Sequence, residues 1–559
     1  MSAKKYALGV DFGTQSGRAV LVEVATGREA ACAVVEYADG VIDSHLPGGN
    51  RHLGVDWALQ NPVDYLAVLY KGIPAVLAQA QADARDVIGI GVDFTSCTML
   101  PVSADGRALC QLPAYRDNPH AWVKLWKHHA AQAEAGRMTE AAWRRQEDFL
   151  KFCGGKISAE WLLPKIWQVG NEAPEIYEAA DSFLEAGDWI VWQLTGRMTR
   201  GSCAAGYKAN WRKRGGYPAK DFFRALDSRL ENLVEEKLRG EILPLGQKAG
   251  ELTAEAAGRI GLLPGTPVAT ANIDAHAAVP ATGTVTPGTM VMIMGTSTCH
   301  MTLSRELRVI DGVCGVVEDG IVPGFYGYEA GQVAVGDMFN WFAANGVPAE
   351  YYAAAQAQNR TIHQFLESKA AGFLPGESGL LALDWWNGVR TPLVDPDLSG
   401  LLLGLTLQTK PEEIYRALLE ATAFGTMSIL ETFESAGLNI DRLVACGGLP
   451  EKNRLLNQIY ADVTGRDIFI AATTQASALG AAMFGAVAAG RAGGGYDTIT
   501  EAAAQMAGVK AVYRPDAKNV ARYKALYAEY KTLQKHFGTG GNDVMKRLKQ
   551  IKVSIQEGQ

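Results

Sequence analysis

Two short stretches, Val10-Asp11-Phe12-Gly13-Thr14-Gln15-Ser16-Gly17-Arg18 and, roughly 280 residues later, Met294-Gly295-Thr296-Ser297-Thr298, offer the same chemistry. Each follows an apolar run, Tyr6 to Val10 and Met290 to Met294, that reads as a buried strand. Each then turns on glycine and presents hydroxyl side chains. Glycine lets backbone N–H groups come close to an anion, and Ser or Thr hydroxyls add donors, so such a turn makes a phosphate cradle. The first loop adds Asp11, a strand-end carboxylate able to hold Mg²⁺ directly or through water. Ordinary hairpin turns use the same residue types. Recurrence in opposite halves of the chain favours two related lobes closing on one nucleotide.

Asn272-Ile273-Asp274-Ala275-His276 puts an acid at the end of a short strand among small residues. Open α/β sheets bind ligands at strand ends, and a carboxylate there can take a hydroxyl proton as oxygen attacks phosphorus. Asp274 as a helix N-cap is the plain alternative, since alanine-rich sequence follows; His276 reads as a packed histidine. In Ala445-Cys446-Gly447-Gly448-Leu449-Pro450-Glu451-Lys452-Asn453, the paired glycines would let backbone lie flat against a planar ring that Asn453 could hydrogen-bond. A simple turn is the competing reading. Lys208 in Gly206-Tyr207-Lys208 and Glu329 in Gly327-Tyr328-Glu329 lie in turn-like sequence among aromatics, a setting suited to polyol hydroxyls or to an exposed loop. No G-x-x-x-x-G-K-[ST] element occurs, which disfavours a P-loop kinase.

The elements that must position these residues read as α/β. Strands are predicted at Tyr6–Val10, Arg18–Val24 and Ala30–Tyr37, then a helix from Pro62 to Ala82 and a buried strand at Val87–Asp93. Helical spacing recurs at Asn118–Gln132 and Ser158–Gly170, and Thr139–Phe149 reads as a surface helix. Short strands are expected at Val268–Ala271 and on either side of the second loop between Val285 and Leu303. Lys410–Ser435 is amphipathic with Pro411 at its start. A strand at Arg442–Cys446 runs into the paired glycines, a helix starts near Glu451, and the charged segment after Asp516 reads as peripheral. The second half repeats the element order of the first only weakly. No Gly/Ser- or Pro-rich linker separates the halves, so packed lobes joined by a hinge are expected.

At 559 residues the chain exceeds the about 250–300 residues at which single cores stop growing. Apolar residues make up 48% and charged residues 20%, a globular balance, and the net charge of −7 gives no electrostatic reason for a nucleic-acid partner. The eight cysteines are scattered with no C-x-x-C pair, which fits buried thiols in a reducing cytosol rather than a zinc or redox site. The start, Met-Ser-Ala-Lys-Lys, lacks the apolar stretch of a signal peptide, and no run approaches the roughly 20 apolar residues of a membrane span. A cytoplasmic location with no membrane partner is expected.

The order of these elements resembles the FGGY carbohydrate kinases of the actin/hexokinase/Hsp70 ATPase superfamily. The likeness covers nearly the whole chain: the first phosphate loop, Pro164-Lys165-Ile166-Trp167 with Phe183 through Gly196, the Asp274 motif and Gly295-Thr296-Ser297. It continues through Leu403-Gly404-Leu405-Thr406 with its helix and Gly447-Gly448 through Gly465. Gly91-Val92-Asp93-Phe94-Thr95, Tyr115 through His120, Trp122 through His129, Gly206-Tyr207-Lys208 and Asp384-Trp385-Trp386-Asn387-Gly388 resemble the branch of the family that acts on L-ribulose.

The resemblance implies two ribonuclease H-like lobes, 1–285 and 286–559, with an ATP/sugar cleft between them. It implies ATP and Mg²⁺ as cofactors, Asp274 as general base and Asp11 at the metal. Gly13, Thr14, Gln15, Ser16 and Arg18 would lie near the phosphates, with Gly295, Thr296 and Ser297 facing them from the other lobe. Gly447, Gly448 and Asn453 would meet the adenosine; Ser96, Lys208, Asp274 and Glu329 would meet the sugar. The implied reaction is phosphorylation of L-ribulose to its 5-phosphate in L-arabinose catabolism, with D-ribulose or another ketopentose as the alternative acceptor. A reading from a different class is a non-catalytic, ATP-gated binding protein of the same superfamily. A homodimer is the assembly to test.

Overall fold

The computed structural model describes residues 4–49 and 52–557; Met1–Ala3, at the start of the sequence, lie outside the described residues. Two seven-stranded sheets organise it. The first contains β1 (Tyr6–Phe12), β2 (Ser16–Glu23), β3 (Glu29–Glu36), β4 (Val87–Phe94), β5 (Lys248–Glu251), β6 (Pro267–Ala269) and β7 (Asn272–Ile273). Its order is β5-β6-β4-β1-β2-β3, with β7 also pairing β4. The second contains β8 (Thr289–Met294), β9 (Thr298–Ser304), β10 (Gly315–Glu318), β11 (Tyr326–Gln332), β12 (Arg442–Cys446), β13 (Ile468–Ala471) and β14 (Val509–Tyr513), in the order β10-β11-β9-β8-β12-β13-β14.

The sheets share one design. In each, a strand (β1 or β8) runs antiparallel to its hairpin partner and parallel to a later strand (β4 or β12), and the far edge ends antiparallel. The weak repeat in the sequence is therefore a strong repeat in topology. All eight residues of β4 are buried. A parallel central strand is covered on both faces, so it reads as an apolar run rather than an alternation.

The helices that matter to the site are α1 (Leu162–Glu172), α2 (Ser202–Ala209), α3 (Asp274–Ala281), α4 (Pro411–Ser435), α5 (Ala476–Ala489) and α6 (Ala517–Gln534). Helix α5 lies late in the chain, yet it packs on the first sheet. A Cβ at Gly91 would stand 1.8 Å from the Ala481 carbonyl oxygen, and one at Gly480 would stand 1.7 Å from that of Ala277 on α3. Only bare glycine permits such backbone approach. Ala7, Val22, Ala278, Val291, Val444 and Met483 join one core around α3 and α5, so the halves are interlocked as well as adjacent.

Three predicted elements differ. Asn118–Gln132 is not a helix: it holds a single turn at Pro119–Ala121 and a short strand at Val123–Lys124, which pairs with Leu59–Gln60 and Met99. Strand pairing wins over helical spacing there. The predicted surface helix runs instead from Gln132 to Arg145 and buries Ala135, Met138 and Ala142, and the following turn buries Phe149 and Leu150. The segment after Asp516 is not wholly peripheral. Tyr530 Oη on α6 donates to Asp384 Oδ1 at 2.9 Å, and Tyr523 Oη donates to Glu420 Oε1 on α4 at 2.9 Å. Both rings are buried. Among the described residues no helix is long and apolar enough to cross a membrane.

Candidate active site

Three adjacent strands line up charge at one edge of the first sheet. Arg18 on β2, Asp11 on β1 and Asp93 on β4 are direct register partners, so their side chains share a face. Asn272 on β7 pairs with Asp93, and Asp274 follows as the first residue of α3. Arg18 Nε stands 3.2 Å from Asp11 Oδ2, and Arg18 Nη1 donates to Gln475 Oε1, just before α5, at 2.9 Å. The first loop is thereby tied to the second half of the chain.

Burial, then the charge of Asp11, the hydrogen bond with it and the charge of Asp274, holds the Asp93 carboxyl well above the ordinary carboxylate range. Burial also raises Asp11, against the pull of Arg18. Asp274 remains partly accessible. The crowding of protein around it, then the Asp11 charge, lifts it to about 7, opposed by the Ala275 N–H, which donates to Oδ1 at 2.6 Å, and by Lys208. A carboxylate poised near neutrality can accept a hydroxyl proton.

Lys208 on α2 and Glu329 on β11 come from opposite halves and meet with Nζ 2.9 Å from Oε2 and 3.1 Å from Oε1. His276 Nε2 lies 3.5 Å from Glu329 Oε2, and the Tyr207 ring packs on the His276 ring. Both members of the pair are buried. Burial of Lys208 is more than offset by Glu329, so its pKa is raised; Glu329 is lowered despite burial, by Lys208 and His276. The turn-like reading of these segments is corrected. A Cβ at Gly206 would meet Val317 at 2.5 Å and one at Gly327 would meet Ile321 at 2.6 Å, so these glycines allow helix and strand to pack closely instead of turning the chain. Ser96 is half-buried in the turn after β4, beside Cys97, whose thiol senses the Lys208 charge.

The two glycine–hydroxyl loops occupy equivalent strand ends. Gly13, Thr14 and Gln15 span the β1–β2 turn, Ser16 opens β2, and Gly13 N–H donates to the Ser16 carbonyl at 3.0 Å. Trp126 Nε1 donates to Thr14 Oγ1 at 3.1 Å, and Gln60 Nε2 donates to the Thr14 carbonyl at 2.7 Å. Gly295, Thr296 and Ser297 form the β8–β9 turn, where Val335 N–H donates to the Thr296 carbonyl at 2.9 Å. Gly447 and Gly448 follow β12, the parallel neighbour of β8, and a Cβ at Gly447 would lie 2.5 Å from the Met294 carbonyl oxygen. Asn453 is buried, and its Oδ1 accepts from the Leu456 N–H at 2.8 Å as a helix cap. The two loops after β8 and β12 thus stand together on the second sheet, as Asp11 and Asp93 do on the first. Asp274 acts electrostatically on Cys299 on β9, two residues past Ser297.

Among the described residues no three His, Cys, Asp or Glu side chains are placed to hold a metal ion together. Asp11, at the strand end with the buried Asp93 carboxyl paired beside it, suits Mg²⁺, which keeps water and phosphate ligands and takes few from protein. Asp93 and Gln475 escaped sequence reasoning; the signal for Asp93 was an acid ending an apolar run, the same as for Asp11.

The model of the FGGY family of carbohydrate kinases matches twice, its N-terminal domain over residues 6–280 and its C-terminal domain over 290–489. The chain belongs to the FGGY family of carbohydrate kinases. It is 59% identical to the ribulokinases of Geobacillus thermodenitrificans and Halalkalibacterium halodurans. The first alignment covers 98% of this chain and 97% of its relative, the second 99% and 98%. The xylulose kinase of Rhodospirillum rubrum superimposes with a TM-score of 0.75 at 22% identity, covering 95% of this chain and 99% of that one, which shows a shared fold. As an FGGY member the chain is a sugar kinase that uses ATP. The predicted α/β architecture of two related lobes stands.

Proposed function

We propose that this FGGY kinase catalyses ATP + L-ribulose → ADP + L-ribulose 5-phosphate, serving L-arabinose catabolism, with lobes divided at 285/286. The observation that carries the reading is Asp274, tuned to about 7 beside a charged strand edge on one side and the Lys208–Glu329 pair on the other. The near full-length likeness to proteins named ribulokinase supplies the sugar.

Lys208 donates to ketopentose hydroxyls and Glu329 accepts from them, with Ser96 on the same wall. They hold the C5 hydroxyl against Asp274, which takes its proton as the oxygen attacks the γ-phosphorus. Gly13 to Ser16 with Arg18, and Gly295 to Ser297, hold phosphate from two sides. Gly447 and Gly448 line the adenosine, and Asn453 fixes the start of the helix behind it. Asp11 would hold Mg²⁺, with Asp93 hydrogen-bonded beside it, and the ion when bound would neutralise β- and γ-phosphate charge. Closure of the lobes excludes water from the transferred group.

A purely ATP-gated binding protein has no use for a neutral-range carboxylate next to a buried polyol-type pair. The test is ADP release across the ketopentoses and their pentitols. L-Ribulose as the best acceptor supports the proposal; no turnover of any ketopentose contradicts it. A homodimer and a cytoplasmic location belong to the same proposal, for sedimentation and cell fractionation to check.

A further inference from the structure

The motif Pro164-Lys165-Ile166-Trp167 carries a charge that the mechanism above leaves unused. Lys165 lies on α1 and is fully buried. Backbone carbonyls hold its ammonium: Nζ donates to the carbonyl of Cys97 at 2.6 Å, of Leu125 at 2.8 Å and of Lys124 at 3.4 Å. An ammonium has three hydrogens and no lone pair, so three carbonyls match it. Burying a charge without an ion pair is costly, and an apolar side chain would serve the packing of the lobe better. What the lysine supplies is a fixed spacing between the segments that own those carbonyls.

Cys97 belongs to the turn after β4 that carries Ser96. Its φ of 58° lies in the left-handed region, which a residue with a Cβ keeps only where its surroundings hold it there. The Thr95 N–H donates to the Phe12 carbonyl at 3.0 Å, next to Gly13. Thr98 Oγ1 donates to the Thr95 carbonyl at 3.1 Å, and the Thr98 N–H donates to Glu185 Oε2 at 3.0 Å. On the other flank Asn272 and Ile273 pair with Asp93 and Phe94, so Asp274 leaves β7 level with Thr95. The turn therefore lies between the first glycine–hydroxyl loop and Asp274.

Leu125 follows the strand Val123–Lys124, and its neighbour Trp126 reaches the first loop, where Nε1 donates to Thr14 Oγ1 at 3.1 Å. Across that strand Gln60, the partner of Val123, donates from Nε2 to the Thr14 carbonyl at 2.7 Å. The indole nitrogen is a donor only, so the Thr14 hydroxyl accepts from it and keeps its own hydrogen for an outside acceptor, as a phosphate oxygen would be. One ammonium thus joins the arm that holds Thr14 to the turn that holds Ser96.

We propose that Lys165 is a positioning residue for phosphoryl transfer, setting the turn at Ser96 and, through Leu125 and Trp126, Thr14 at the spacing at which sugar oxygen meets phosphorus. The proposal rests on the reading of the site as a ketopentose kinase. Fully buried, Lys165 touches neither substrate. Attack needs the reacting atoms about 3–3.5 Å apart, and a misplacement of about 1 Å can cost about 10²-fold in rate. Losing the ammonium frees the turn and the arm together, whereas losing the Trp126 indole frees Thr14 alone.

The test is a double-mutant cycle of Lys165→Met and Trp126→Phe, read as L-ribulose phosphorylation at saturating substrates. Rates are expressed per site, with sites counted by calorimetric titration with a non-hydrolysable ATP analogue, which removes any loss of folded protein from the comparison. Lys165→Met is expected to lower kcat per site roughly 10- to 100-fold and Trp126→Phe roughly 10- to 30-fold. The double variant should lie within about 3-fold of Lys165→Met, because the ammonium anchors the arm that carries the indole. A kcat per site within about 2-fold of wild type in Lys165→Met, or a double loss equal to the product of the two single losses, overturns the proposal. Should Lys165→Met fail to fold, Trp126→Phe alone decides, by the same limit of about 2-fold. Wild-type turnover with unchanged variants overturns this proposal alone. No wild-type turnover of any ketopentose overturns the kinase reading and this one with it.

Discussion

Removing the charge of Glu329 separates two roles that a buried ion pair can play. In Glu329→Gln the Lys208 ammonium loses its anion where both side chains are only 7% exposed. Breaking such a pair from one side costs about 3–5 kcal/mol, because a buried charge is left without compensation. At the entropy of unfolding usual for a chain of this size, about 1.2 kcal/mol/K, that lowers Tm by about 3–4 °C. The double variant Lys208→Met/Glu329→Gln carries no orphaned charge and should recover most of that loss. Sugar binding should behave differently. Each single variant leaves a sugar hydroxyl unmatched, at about 1–3 kcal/mol, which is a rise of roughly 5- to 150-fold in the KM for L-ribulose with the KM for ATP little changed. The double variant should be as poor or worse. Differential scanning calorimetry and coupled-enzyme kinetics on the three proteins read both quantities. Recovery of the L-ribulose KM in the double variant, or a single-variant KM within 2-fold of wild type, would refute the role of the pair in recognition and leave it a structural tie.

Other outcomes follow from the same geometry. With Asp274 at about 7, kcat/KM for the sugar should fall about tenfold per pH unit below 7, in a pH profile at saturating ATP; a profile flat from pH 5.5 to 7 contradicts a base in that range. The folded-state pKa of Asp274 lies above its ordinary 3.8, so between those values the folded protein holds the extra proton and stability falls as pH rises. Asp274→Asn removes that loss. The ceiling of about 4 kcal/mol shrinks to about 1–3 kcal/mol for a partly accessible group, so the variant should gain about 1–2 °C in Tm over wild type at pH 8 relative to pH 5. Gly480→Ala should lose about 3 kcal/mol or more, because its Cβ would stand 1.7 Å from the Ala277 carbonyl oxygen. Gly258→Ala, with open space around it, should be neutral or slightly stabilising by denaturant melts; equal losses in the two would contradict the interlock of α3 and α5.

What the sequence made legible was whatever a short window can carry. Strands β1, β4, β8 and β12 are largely buried, so apolar runs ending in Gly, Ser, Thr or Asp marked the two glycine–hydroxyl loops and Asp274. Asp93 carried the same mark, but its meaning depends on register with Asp11, a long-range pairing that no window contains. Lys208 and Glu329 were singled out for the wrong local reason. Glycines that look like turn formers are there because Tyr207, Val317 and Ile321 press on the backbone. The role of α5 was hidden too: a run of Ala and Gly looks bland until Gly91 and Gly480 are seen to let backbone touch backbone. At Asn118–Gln132 helical spacing was real, and pairing with Leu59–Gln60 overrode it. Tyr523 and Tyr530 looked like parts of a charged outer helix, and only tertiary contact with Glu420 and Asp384 shows what they anchor.

In the proposed reaction Asp274 is the base that activates the sugar hydroxyl. Its most direct test is rapid-quench measurement of phosphoryl transfer in Asp274→Asn, with L-ribulose and ATP affinities fixed by calorimetry on the same preparation. The expected result is transfer slowed by about 10²–10⁴ while both affinities stay within a few-fold of wild type. Transfer at near the wild-type rate, with both substrates bound, would contradict it.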